Sequence, residues 1–159
     1  MADNPYQPPS SGFEKPPRDL EPGSMFKAVL FGATTDIVGT NLIAIPLFLI
    51  HGAILGAQGE SAEEMQRAME HVDPLSTFGL VLMMFGLAMS VLGGYVCART
   101  ANVNSYTAVG AMSAISVAFG TLTSAGEYEW SILLLLSLLG LMGIFAGGWW
   151  HIRKLTRAN

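Results

Sequence analysis

Apolar residues run almost unbroken through four stretches of the chain, at about 26–50, 74–96, 106–123 and 130–150, and polar residues crowd the segments between them. There is no Asp, Glu, Lys or Arg between Asp73 and Arg99, between Arg99 and Glu127, or between Glu129 and Arg153. Asp36 is the one charged residue from Ala28 to Gly59. A hydrocarbon core about 30 Å thick is crossed by roughly 20 helical residues, so each stretch predicts a membrane span. Punctuation supports the frame. Asp73 and Pro74 suit the N-cap and first helical position of the second span, where proline's missing N–H has no helical partner to lose. Trp130 and Trp149-Trp150 bracket the fourth span about 19 residues apart, where an aromatic belt places them.

The pattern predicts an all-α membrane protein, a four-transmembrane-helix bundle over residues 26–152 with tails over 1–25 and 153–159. Between the first two spans, Ser61-Ala62-Glu63-Glu64 reads as a capping box, and Met65, Ala68, Met69 and Val72 recur at helical spacing. A short amphipathic helix over about 62–72 is expected there, lying on the membrane surface over one end of the bundle or offering a face to a partner.

Composition agrees with the pattern. Of the 159 residues, 51% are hydrophobic and 13% charged, about half the charge of a soluble domain. The first 25 residues hold six of the eight prolines, four acids and two bases, a composition that predicts a disordered, locally polyproline-like tail. No short apolar core followed by a cleavage site precedes the first span, which is therefore expected to direct insertion and stay uncleaved. With the N-terminus cytoplasmic, Lys15, Arg18, Lys27, Arg99, Arg153, Lys154 and Arg157 fall on the inner side and Arg67 alone on the outer. Glu60, Glu63, Glu64, Glu70, Asp73, Glu127 and Glu129 then make the outer loops acidic. The net charge of −4 therefore averages a basic inner face with an acidic outer one, and leaves no basic stripe for nucleic acid.

Small residues mark the faces on which the spans should pack. Gly79, Gly86 and Gly93 recur every seven positions, and Gly86, Ser90 and Gly94 every four. In the fourth span Gly140 and Gly147 are seven apart, and Gly143 and Gly147 form a GxxxG. In lipid such faces let backbones approach closely enough for van der Waals packing to hold helices together. Gly110, Ala114 and Ala118 continue the pattern in the third span, which is expected to be an inner helix. A shift of 54 positions places Gly86 on Gly140, Gly93-Gly94 on Gly147-Gly148, Tyr95 on Trp149 and Arg99 on Arg153. Two readings fit: a duplicated pair of parallel helical hairpins, or two span ends doing the same job with glycine for packing, an aromatic at the interface and arginine at the head groups.

Candidate chemistry is sparse. Asp36 lies nine residues past Lys27, about 14 Å at helical rise and near mid-membrane, where a carboxylate costs roughly 2.5 to 3.5 kcal/mol. Thr35, Thr40 and Asn41 stand near it, Gly32, Gly39 and Thr40 share its face, and Pro46 just beyond removes a helical bond to Leu42. These are parts of an ion or proton pathway, and equally of a packed polar contact in which Asp36 bonds Ser90, Ser113 or Ser116. Arg99, Arg153 and Lys154, with the tryptophans, are expected as interface anchors. Cys97 has no partner for a disulfide or a cysteine cluster, and His51 and His71 share no ligand spacing, so no metal is expected. His151 is expected among the interfacial aromatics. No catalytic motif is present, and neither an enzyme nor a cofactor is expected.

Asn4-Pro5-Tyr6-Gln7-Pro8-Pro9, and Gly93-Gly94-Tyr95-Val96-Cys97-Ala98-Arg99 at the end of the second span, together resemble small four-span bacterial inner-membrane proteins that have no assigned activity. The resemblance implies the same layout in a bacterial inner membrane, and carries over no site residue. The expected role is structural or interactive, and a small channel or ion-coupled transporter using Asp36 is the alternative. Expected partners are the lipid bilayer and either a second copy of the chain or another membrane protein.

Overall fold

The computed structural model describes residues 23–102, 105–124, 126 and 128–158. The Pro-rich tail lies outside the described residues as far as position 22, as do Glu127 and Asn159. Five helices follow in order: α1 (Met25–Ala57), α2 (Ala62–Glu70), α3 (Thr77–Ala101), α4 (Ser105–Ser124) and α5 (Trp130–Ala158). All but α2 are long and apolar enough to cross a membrane. α1 runs through Pro46 and ends at Ala57 rather than Ile50. α5 continues past the tryptophans through Arg153, Lys154 and Arg157.

Serines start three of these helices. Ser24 and Ser76 each accept a hydrogen bond from the backbone N–H three residues on, at 3.4 and 3.0 Å. The start of α3 therefore differs from the expectation at Asp73-Pro74. Asp73 Oδ1 accepts from the Leu75 N–H at 2.9 Å, and the Ser76 N–H closes a turn onto the Asp73 carbonyl at 3.0 Å. Proline fits the second position of that turn as well as it fits a first helical turn, and Ser76 supplies the cap. In α2 the capping box forms: the Glu64 N–H donates to Ser61 Oγ at 3.3 Å and the Ser61 N–H donates to Glu64 Oε2 at 2.9 Å. The Ser61 hydroxyl, donating to the same carboxylate, is the main reason that the Glu64 carboxyl sits below the usual range. Met65 and Met69 rest against Gly56 and Gly52, so α2 leans on the last turns of α1.

The long helices form a ring in the order α1, α3, α5, α4, and α3 also reaches α4 across the middle. α1 and α3 run antiparallel along most of their length. Gly32 faces Gly93 and Cys97 near one end, and Phe48 and His51 meet the Phe78 ring near the other. α3 and α5 run parallel and touch backbone to backbone. A side chain on Gly94 would run into the Ile144 carbonyl, and one on Gly147 into the Val91 carbonyl. The 54-residue correspondence is thus close to the register of this parallel pair, and residues at equal height on neighbouring helices meet similar demands. The α4–α5 seam is far shorter than the α1–α3 seam, so the two hairpins are not packed alike.

α4 is not an inner helix along its small-residue stripe. Ala114 and Ala118 are exposed, and a Cβ on Gly110 would meet nothing. Its packed face instead carries Ser105, Ala108, Val109, Met112 and Ser113. Large side chains on α4 fill the space left by glycine on its neighbours: Met112 lies against Gly32 and Gly93, and Val109 against Gly148. Central position falls to α3, whose Gly93, Gly94, Cys97, Ala98 and Ala101 are all buried.

Packing is uneven along the bundle. At the end where Lys27, Arg99 and Arg153 gather, Ala28, Cys97, Ala98, Val109 and Met112 are fully buried. Beyond Gly143, towards α2, α3 and α5 part around an apolar groove of about 500 Å³, and a Cβ on Gly140 would meet nothing. Gly86 borders that groove, and a Cβ added there would fall 3.9 Å from the Thr40 methyl. Gly79 packs on its own preceding turn, against Asp73 and Pro74.

Substitution by alanine should separate these sites. Gly94→Ala and Gly147→Ala force backbone apart and are expected to cost about 1–3 kcal/mol in reversible unfolding from mixed micelles. Gly110→Ala and Gly140→Ala should be neutral or stabilising by up to about 1 kcal/mol, because only helix propensity changes.

Candidate functional site

Asp36 sits on the face of α1 that meets α3 and is 7% exposed. Small neighbours make room for it: Gly32 lies one turn before it, and Gly93 is close enough that an added Cβ would fall 3.0 Å from Asp36 Cβ. Ser90 of α3 donates its hydroxyl hydrogen to Asp36 Oδ1 at 2.8 Å. Ser90 is itself buried, so this bond joins two helices through their interior.

A cavity of about 160 Å³ opens beside this pair, between the long helices. Ser116 of α4 and Ser137 of α5 line it with Asp36 and Ser90, and Ser116 Oγ is buried without a hydrogen-bond partner among the described residues. Roughly 10–15 Å³ of such space admits one water, so the chamber has room for several. Towards α2 it extends along Gly120 to Ser124 at the end of α4. Towards the basic end, Gly32, Gly93, Met112 and Ile144 close behind Asp36. Ser90 borders both this polar chamber and the apolar groove between α3 and α5.

The four residues expected to form a polar patch are not brought together. Asp36 enters the chamber, and Thr40, half-buried, lines the apolar groove. Thr35 donates to the Phe31 carbonyl at 2.8 Å, and Asn41, exposed on another face, donates through Nδ2 to the Ile37 carbonyl at 2.7 Å. Of the three serines weighed as partners for Asp36, Ser90 makes the bond, Ser113 donates to Val109 of its own helix, and Ser116 stands across the chamber. Ser137 escaped sequence reasoning. The available signal was its isolation as the one hydroxyl in the run from Ile132 to Leu139.

The other candidates are packing groups. Cys97 is buried and free, and His51 stacks on Phe78 with ring centroids 4.0 Å apart. Among the described residues no group of three His, Cys, Asp or Glu side chains is placed to hold a metal. His151 meets Tyr95 edge to face at 5.3 Å, Arg153 lies over Trp149, and Lys154 lies over Tyr95 and Trp150. These cationic and aromatic groups cluster at the basic end, and Trp130 is exposed at the other. Such a girdle suits the boundary between hydrocarbon and head groups.

Four apolar spans around a buried polar contact define a multi-pass α-helical membrane protein. No protein family, curated protein or solved structure matches the chain.

Removing the Ser90 hydroxyl leaves a buried carboxyl without its donor. Ser90→Ala should destabilise the bundle by about 1–2 kcal/mol. Ser113→Ala, which loses a bond only within its own helix, should cost less than half as much in the same unfolding measurement.

Proposed function

We propose that the chain is an inner-membrane protein of a bacterial cell, with both termini cytoplasmic, serving as a structural or protein-interaction component and not as an enzyme. The two short motifs support the bacterial setting. The bases at the ends of α1, α3 and α5, against Arg67 alone in α2, support the orientation. The observation that carries the role is the closure of the bundle behind Asp36: its carboxyl is held by Ser90, and fully buried side chains shut the path to the basic end. An intramembrane acid fixed in this way joins two helices. Crosslinking in native membranes should recover a reproducible partner through the Pro-rich tail or α2. Recovery of the chain alone would count against an interaction role.

The chamber favours a second reading, an ion- or proton-coupled transporter using Asp36, because it combines a carboxylate, the unpartnered Ser116 hydroxyl and an extension towards one end. The readings differ for Asp36→Asn, whose amide oxygen still accepts from Ser90. Under the structural reading, wild type and variant both insert and neither passes protons, sodium or potassium in liposomes. Under the transport reading, wild-type flux is present and the variant loses it.

A further inference from the structure

The side of α1 turned away from Asp36 carries Phe31, Thr34, Val38, Asn41, Ile45 and Leu49, all exposed. From Phe31 to Ile45 they step by three, four, three and four residues, so that Thr34 and Asn41, and Val38 and Ile45, are each seven apart. That is the spacing of a seam between two helices crossing at a shallow left-handed angle. Asn41 lies fourteen residues past Lys27, about 21 Å at helical rise and inside the hydrocarbon layer. Among the described residues its one hydrogen bond is the Nδ2 donation to Ile37 of its own helix, and its Oδ1 accepts none. A carboxamide facing lipid in this state is unfavourable, because lipid offers nothing to satisfy it.

We propose that this face is the contact with a second copy of the chain, α1 against α1 around a two-fold axis along the membrane normal. Copies inserted the same way bring their Asn41 residues to one depth. A carboxamide holds both a donor and an acceptor, so two of them satisfy each other across the axis. A different protein would need its own polar group at that depth, whereas a second copy supplies it automatically. Thr34 lies in the same seam one heptad away, with branched Val38 and Ile45 between and beyond, and a polar residue at a single seam position is the usual device that fixes register and partner number. The proposal goes beyond both readings of Asp36 and needs neither, since Asp36 points to the opposite side of α1.

Dilution of the labelled full-length chain in phosphatidylethanolamine–phosphatidylglycerol vesicles, read by single-molecule photobleaching, tests it. Wild type should give a reversible dimer. Asn41→Leu should weaken association about threefold to tenfold while unfolding no more easily, and Asn41→Gln should retain most of it. Oxidative crosslinking should join Ile45→Cys chains and leave Leu135→Cys chains, on the exposed side of α5, unlinked. A wild-type monomer at every dilution overturns the proposal. So does equal dimerisation of Asn41→Leu, or linkage through position 135 as readily as through 45.

Discussion

Two helices surrounded by hydrocarbon gain nothing by hiding apolar surface from one another, because the lipid tails are as apolar as their side chains. What holds them is the number of atoms brought into contact, and here that depends on glycine and alanine letting backbones touch. Gly94 against Ile144, Gly147 against Val91 and Gly32 against Gly93 set the spacing of α1, α3 and α5. Everything else takes its position from that spacing. α4 inserts Met112 and Val109 into the hollows, and Asp36 finds Ser90 within bonding distance because Gly32 and Gly93, facing each other beside the pair, let their helices close there.

The four spans and the surface helix could be read from the chain because long uncharged runs, a capping box and interfacial tryptophans are local signals. Helix ends were less legible. Ser76 and Asp73-Pro74 offer competing starts for α3, and geometry chose the serine. Glycine spacing named the small faces without saying what lies opposite them. The stripe on α4 meets no helix and Gly140 borders a groove, whereas Gly94 and Gly147 meet backbone. Which face of a helix turns inward depends on neighbours far away in sequence. Thr35, Thr40 and Asn41, close to Asp36 along the chain, point in different directions around α1 because 3.6 residues make a turn, and the chain alone does not say which of those directions meets a neighbour.

Asp36 was conspicuous as the one charge within a span, and its partner was among those the sequence offered. The chamber was not legible, since it arises where four helices fail to meet completely and its walls come from residues up to about a hundred positions apart. A lone carboxyl in such a place is sheltered from opposite charge, and a serine hydroxyl can bond it whether or not it carries a proton.

The gradient in packing has a mechanical consequence. One end of the bundle is joined through backbone atoms and behaves as a single stiff body, while at the other end α3 and α5 stand apart around a groove. Separation of α3 from α5 is therefore easiest at the α2 end, as the free arms of a clothes peg move while its spring holds. Ser90 stands near the fulcrum, so a small spreading of those arms alters the width of the gap between lipid and the chamber holding Asp36.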